Sequence, residues 1–176
     1  MSYPLTKVDI EAFLHRLGGR LANQTTFYLI GGSALLLLGN QRATLDIDYV
    51  GTDYPLATDI LAATVQAVAT EMTIEVEPVP IGEFIPLPDG FEARHDLIGH
   101  FGQLSVYLFD PYSIAISKLD RGFGFDLQDV YFLIDKGFIT FAQLEQYAEG
   151  VLKRASIFDL DKKAFLEHLE EVRKLL

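Results

Sequence analysis

The chain has 176 residues, of which 49% are hydrophobic and 12% aromatic, and its formal net charge is -11 at pH 7. These values predict one folded domain, or one with a small addition, and exclude a disordered or fibrous chain. The acidic surface would repel a phosphate backbone, which argues against a protein that coats DNA or RNA. No cysteine is present, which excludes disulfides and thiolate metal sites.

The sequence indicates neither a leader peptide nor a membrane span. Lys7, Asp9 and Glu11 interrupt the apolar positions near the N-terminus, unlike the pattern of a signal peptide. The longest apolar run, residues 27–39, contains several glycines and is too short to cross a bilayer. We therefore expect a cytoplasmic protein without membrane contact.

The first 50 residues predict a helix, a strand, a short helix and a second strand. Thr6 is a suitable N-cap for the first helix, which we expect to end at Gly18-Gly19. A strand over residues 27–30 is followed by a glycine turn and a buried helix over residues 34–38. Residues 45–50 then alternate apolar with acidic side chains, as a half-buried strand does.

The remaining residues continue the α/β pattern and then become helical. We predict a helix over residues 57–71, strands over 73–77, near 92–98 and 103–109, and a proline-rich loop up to about residue 90. Helices follow over residues 112–119, 126–134, 141–152 and 160–176, with Thr140 and Asp159 as caps. The predicted fold class is α/β (α+β): a mixed sheet with flanking helices over residues 1–110, on which a C-terminal helical tail over 111–176 packs as one structural unit.

A glycine turn before the short apolar helix is the first feature that bears on function. Gly31, Gly32 and Ser33 connect the predicted strand to that helix. Glycine lets a phosphate approach the backbone closely, and the first turn of a helix offers unpaired N–H groups and a positive dipole end. Ser33 adds a hydroxyl donor. The turn suits phosphate binding, although by itself it is also compatible with a simple tight connection.

The second feature is a pair of aspartates on one predicted strand. Asp46 and Asp48 would project from the same face with Cα atoms about 6–7 Å apart. Such a pair can reach two metal ions about 3.5–4 Å apart, which is the arrangement for in-line displacement at phosphorus. Oxygen ligands favour Mg²⁺ or Mn²⁺. Asp-x-Asp also occurs by chance, as at Asp159 and Asp161, so the prediction depends on the preceding glycine turn.

Residues 28–50 combine an apolar strand, Gly-Gly-Ser, a spacer and Asp-x-Asp in that order. This segment resembles the signature of the polymerase-beta-like nucleotidyltransferase superfamily. Its form Arg42-x-Thr44-x-Asp46-x-Asp48 is similar to a bacterial branch that includes AbiEii-like abortive-infection toxins and minimal nucleotidyltransferases. A stretch further along the chain resembles the Lys-Leu…Arg…Asp-x-x-Asp segment of the same branch; its residues are Ser117, Lys118, Leu119, Arg121, Asp126 and Asp129.

The resemblance implies roles for individual residues. Asp46 and Asp48 would bind the metals. Lys118 would face the nucleotide phosphates or orient the attacking group. The nucleotide would be bound by Gly31, Gly32, Ser33, Arg42 and Thr44.

The superfamily supplies a third carboxylate from a later strand, and this chain offers two candidates. Glu75 and Glu77 would share one face of the strand over residues 73–77. We favour Glu75, because it directly follows the first apolar residue of that strand, and keep Glu77 as the alternative. The third acid would bind one metal ion and act as base on the acceptor hydroxyl. Both glutamates are also compatible with an ordinary solvent-facing position.

The implied function is metal-dependent transfer of a nucleotidyl group from a nucleoside triphosphate to an acceptor, which would be RNA, protein or a small molecule. The branch also implies a link to toxin–antitoxin systems and an antitoxin-like partner protein. The alternative is a nucleotidyltransferase fold that has lost its third acid and acts as a binding or regulatory protein.

Overall fold

The computed structural model describes residues 3–50 and 59–176, which form two compact units. The first unit comprises Met1–Pro80 and Asp96–Phe109, and the second comprises Ile81–His95 and Asp110–Leu176. Helices of the first unit are α1 (Lys7–Arg20), α2 (Gly31–Leu37) and α3 (Asp59–Met72), and its strands are β1 (Thr25–Leu29), β2 (Asp46–Val50), β3 (Glu75–Val79), β4 (Asp96–Phe101) and β5 (Leu104–Leu108). Helices of the second unit are α4 (Ile81–Phe84), α5 (Pro111–Arg121), α6 (Gly124–Asp135), α7 (Phe141–Lys153) and α8 (Lys162–Leu175). The predicted fold class, a mixed sheet with flanking helices and a helical C-terminal region, is confirmed.

The five strands form one sheet in the order β3-β2-β1-β5-β4. Strand β2 runs parallel to β3, and β1 runs parallel to β5, whereas the β1–β2 and β4–β5 pairs are antiparallel. In the β2–β3 pair, Asp46 lies beside Glu75 and Asp48 lies beside Glu77. Since side chains alternate between the faces of a strand, this register puts all four carboxylates on one face of the sheet.

Helix α1 begins where the sequence predicts and packs against the sheet. Thr6 forms a capping box with Asp9: the Asp9 N–H donates to the Thr6 hydroxyl at 3.3 Å, and the Thr6 N–H donates to the Asp9 carboxylate at 2.8 Å. The buried side chains of α1 recur at helical spacing and face α3, β4 and β5; they are Ile10, Phe13, Leu14 and Leu17.

The predicted end of α1 at Gly18-Gly19 is wrong, because the helix continues through both glycines to Arg20. Gly18 serves packing instead. A Cβ atom on Gly18 would lie 1.6 Å from the carbonyl oxygen of Phe101, and the Gly18 carbonyl accepts a hydrogen bond from the Gln103 N–H at 3.2 Å. The glycine therefore lets the helix backbone approach the β4–β5 connection.

Gly18→Ala is expected to lower the free energy of unfolding by about 1–3 kcal/mol, as overpacking does, because the obstructing atom belongs to the backbone. Gly19→Ala is the matched control, since a Cβ atom there meets nothing within 4 Å. The control should gain about 0.5–1 kcal/mol from better helix propensity. Urea unfolding of both variants checks the prediction, and equal stability of the two would contradict it.

Several other boundaries differ from the sequence predictions. Helix α4 lies inside the predicted loop, and the strand predicted near residues 92–98 begins at Asp96, after a 3₁₀ turn at Phe91–Ala93. Strand β3 includes Pro78, which has no N–H to donate. An edge strand tolerates proline because its outer side has no partner strand. Asp161, not Asp159, caps α8, and accepts hydrogen bonds from the N–H groups of the second and third helix residues. Thr140 caps α7 as predicted.

The predicted helix over residues 57–71 corresponds to α3, although residues 57 and 58 lie outside the described part. Across residues 3–50 and 59–176, every helix falls short of the length and apolarity that a membrane span requires.

The second unit is organised around α5, which packs against α6, α7 and α8. Asp110 caps α5: its carboxylate accepts hydrogen bonds from the N–H and the hydroxyl of Ser113 at 3.1 and 2.6 Å. Pro111 suits the first helical position because that position needs no N–H donor. Arg94 forms a two-point ion pair with the same carboxylate at 2.8 and 2.9 Å, which joins the segment Ile81–His95 to the start of α5.

Candidate metal centre

Three carboxylates of the first unit converge where β2 and β3 run side by side. Asp46, Asp48 and Glu77 each offer an oxygen, and these oxygens lie within 4.8 Å of one another. The two aspartates are half-buried and Glu77 is exposed. Protein oxygens bind Mg²⁺ at about 2.0–2.1 Å and Ca²⁺ at about 2.3–2.6 Å, so two oxygens that share one ion lie at most about 4–5 Å apart. The donor set therefore fits a hard divalent cation.

The structure brings Glu77, rather than Glu75, together with the two aspartates. Glu75 pairs with Asp46 at the first residue of each strand, and it lines a cleft of about 630 Å³ with residues of α3 and the N-terminal segment. Glu77 lies beside Asp48, two residues further along β3 than Glu75. The geometry favours Glu77 as the third acid, and the catalytic role of either glutamate stays a prediction.

Residue 31 must be a glycine because of its backbone conformation and because Asp48 lies directly beside it. Its φ angle is +68°, in the left-handed region that glycine adopts without steric cost. A Cβ atom on Gly31 would lie 2.0 Å from Oδ2 of Asp48. The Ser33 hydroxyl adds a second connection, since it accepts a hydrogen bond from the Asp48 N–H at 3.3 Å and is completely buried. The start of α2 thus fixes the position of Asp48, the second aspartate of the acidic set.

Three further residues of the predicted nucleotide site lie together. A Cβ atom on Gly32 would lie 3.0 Å from the hydroxyl of Thr44 and 3.1 Å from Nη2 of Arg42. The Thr44 hydroxyl is in turn 3.3 Å from a carboxylate oxygen of Asp46. Arg42 therefore places a cation beside the glycine turn, next to the acidic set. Binding of a nucleotide by these residues and by Ser33 stays a prediction.

Tyr49 follows Asp48 on β2 and is buried, and its ring stacks on Phe27 with centroids 5.2 Å apart. Burial raises the pKa of the Tyr49 hydroxyl above its usual value of 10.0. The hydroxyl therefore stays protonated at neutral pH, and strand alternation places Tyr49 on the face of β2 opposite Asp46 and Asp48.

Lys118 lies in the second unit, within a buried ion cluster that consists of Lys118, Arg121, Asp126 and Asp129. The lysine ammonium is 3.2 Å from Oδ1 of Asp126 and 2.7 Å from Oδ2 of Asp129. Both aspartates and the lysine are buried, and the half-exposed Arg121 donates from Nε and Nη2 to Asp126. The cluster joins α5 to α6, and the predicted role of Lys118 toward phosphate stays a prediction.

A family model described as "Nucleotidyltransferase of unknown function (DUF6036)" matches residues 5–163. The match includes both the metal centre and the ion cluster. Neither a curated protein nor a solved structure shows significant similarity to the chain.

Proposed function

Because this chain belongs to the family of nucleotidyltransferases of unknown function, we propose that it transfers a nucleotidyl group from a nucleoside triphosphate to an acceptor. Asp46, Asp48 and Glu77 hold the Mg²⁺ or Mn²⁺ that the reaction uses. The observation that carries the proposal is the convergence of these three carboxylates beside a glycine turn. The association with AbiEii-like toxins, with an antitoxin-like partner and with the cytoplasm is part of the proposal and depends on the sequence resemblance alone.

The negative charge of the protein disfavours the binding of a triphosphate. At a net charge of -11 the surface opposes an approaching anion, and three clustered carboxylates add to that field. A bound divalent cation reverses the local field and stabilises charge that develops on the phosphoryl oxygens. Arg42 supplies a permanent positive charge beside Gly32, and the lack of a side chain at Gly32 lets Arg42 and Thr44 lie close to the backbone of the turn.

In the transfer itself, an acceptor oxygen bonds to the α-phosphorus while the bond from that phosphorus to the pyrophosphate group breaks. The acceptor hydroxyl loses its proton in this step, and a carboxylate within hydrogen-bond reach takes it up. Glu77 suits this role, because it is the exposed member of the set and lies on the edge strand β3. Asp46 and Asp48 are less accessible to an acceptor.

The alternative function is that of a binding or regulatory protein that has lost its third acid. That hypothesis assumes that no carboxylate completes the Asp-x-Asp pair. Glu77 lies in the converging set, and this supports transfer over binding alone. Which acceptor is used (RNA, protein or a small molecule) is left open by the proposal.

The neighbouring glutamates provide a matched test. Glu77→Gln should lower the rate of nucleotide transfer by about 10²–10⁴-fold, the usual contribution of a general base. Glu75→Gln should retain transfer, because Glu75 lies outside the converging set. Nucleoside triphosphates labelled at the α-phosphorus would be supplied with nucleic-acid, protein and small-molecule fractions of a cell extract as acceptors. Loss of transfer in Glu75→Gln alone would overturn the assignment of Glu77, and label in no fraction with the wild type would overturn the proposed activity.

A further inference from the structure

Two exposed aromatic rings lie at the start of α6. Phe123 and Phe125 are 58% and 47% exposed, although phenylalanine is usually buried. Their rings stack with centroids 5.4 Å apart and an interplanar angle of 20°. Gly124, which lies between them in the sequence, adds no side chain to this surface. The pair therefore offers flat aromatic surface to solvent.

An oriented cation, Arg121, ends α5 two residues before Phe123. Arg121 donates to both oxygens of Asp126, whose own N–H donates to the Phe123 carbonyl at 2.8 Å. These contacts fix the guanidinium, because Asp126 is completely buried and is also held by Lys118. They use two of the five N–H donors of a guanidinium, and the side chain is half-exposed.

The charge of the ion cluster permits an anion to approach. Lys118 and Arg121 carry two positive charges, and Asp126 and Asp129 carry two negative charges, so the cluster is neutral although the chain is strongly acidic. Its negative charges are buried, whereas the charge of Arg121 lies at the surface. Arg121 is therefore the member of the cluster whose charge is accessible to an anion.

We propose that Arg121, Phe123 and Phe125 form a binding site for a nucleotide unit, in which a base stacks on the exposed rings and a phosphate oxygen accepts hydrogen bonds from Arg121. Base–aromatic stacking tolerates any base, because every base has a flat π-face. Arginine matches phosphate through its fork of donors. The site lies entirely in the second unit and uses no metal, so it goes beyond the proposed transfer function. The bound nucleotide is either a free nucleotide or part of a short single strand of nucleic acid.

The test uses a protein in which Asp46→Asn and Asp48→Asn remove the metal ligands, with EDTA present, so that the transfer site does not contribute through metal. Two probes are used. Ligand-observed NMR measures the binding of AMP, and fluorescence anisotropy measures the binding of a dye-labelled five-nucleotide RNA. Phe123→Ala, Phe125→Ala and Arg121→Gln should each weaken binding of at least one probe about 5-fold or more. Phe84→Ala is the matched control, because Phe84 is 55% exposed in the same unit, and it should leave binding unchanged.

The pattern of results identifies the source of the nucleotide. Binding of AMP supports a free nucleotide, and binding of the RNA alone supports a strand. The proposal is overturned if neither probe binds at millimolar concentration, or if the three variants bind as Phe84→Ala does. It is also overturned if the phenylalanine variants change only the oligomeric state in sedimentation, since the rings would then be a protein interface. Circular dichroism of each variant confirms that the exposed substitutions leave the fold intact.

Discussion

Replacement of Lys118 by methionine is expected to lower the free energy of unfolding by about 3–5 kcal/mol, the usual cost of breaking a buried ion pair. The substitution keeps the length and the apolar stem of the side chain but removes its charge. Two buried carboxylates, Asp126 and Asp129, would then face a single half-exposed cation, Arg121. A loss of this size is a large fraction of the stability of a small protein, and thermal or urea unfolding would detect it.

Lys163→Met is the matched control for this prediction. Lys163 lies on the surface of α8, with its ammonium 3.8 Å from the carboxylate of Glu167, and exposed pairs contribute about 0–1 kcal/mol. Combining Lys118→Met with Asp129→Asn should recover part of the lost stability, because one buried charge is removed. If Lys118→Met unfolds at the same urea concentration as Lys163→Met, the cluster does not stabilise the α5–α6 pair.

Gly31→Ala is expected to affect both the fold and the metal centre. A left-handed backbone costs a residue with a Cβ atom about 1–2 kcal/mol. The new methyl would also lie 2.0 Å from Oδ2 of Asp48, so this side chain must leave its position. We expect a loss of stability beyond the backbone strain, together with the loss of any stabilisation by Mg²⁺.

Gly137→Ala separates the two effects. Gly137 has a φ angle of +77°, close to that of Gly31, but a Cβ atom there meets nothing within 4 Å. It should show the backbone strain alone and keep the response to Mg²⁺. Differential scanning calorimetry with and without millimolar Mg²⁺ measures both quantities. A Gly31→Ala variant that matches Gly137→Ala in stability and still responds to Mg²⁺ would contradict the structural role of this glycine.

The local part of the site could be predicted from the sequence. The turn Gly31-Gly32-Ser33 and the Asp46–Asp48 pair depend on the conformation of a few neighbouring residues, and strand alternation alone places both aspartates on one face. The third acid could not be chosen in this way. Alternation puts Glu75 and Glu77 on the same face, and only the register and the side-chain positions in the β2–β3 pair bring Glu77 into the acidic set.

The errors in the predicted elements have the same origin. Glycine often ends a helix, and Gly18 is predicted to do so. In the structure, Gly18 instead packs closely against the Phe101 carbonyl, which is distant in the sequence. The residues up to about 90 are predicted as a proline-rich loop and those near 92–98 as a strand, whereas the attachment of the segment Ile81–His95 through Arg94 depends on Asp110. The sequence does signal part of this, because Asp110-Pro111 is a typical helix start. The arrangement of the helical region on the sheet as a single unit stays a prediction.

Lys118 shows the limit of reasoning from a motif. The pattern of Lys118, Arg121, Asp126 and Asp129 suggests a catalytic stretch, yet the same spacing places opposite charges on facing sides of α5 and α6. A sequence motif does not indicate whether a lysine faces solvent or two carboxylates, because this depends on how two helices pack.

The central claim is that Asp46, Asp48 and Glu77 bind a divalent cation on which nucleotide binding depends. Electron paramagnetic resonance of Mn²⁺, titrated into the protein with a non-hydrolysable triphosphate, measures this directly, because free Mn²⁺ loses its signal when it binds. The account predicts that the wild type takes up Mn²⁺ with the triphosphate and that Asp48→Asn takes up no more than the triphosphate alone. Equal Mn²⁺ uptake by the wild type and Asp48→Asn would contradict the account.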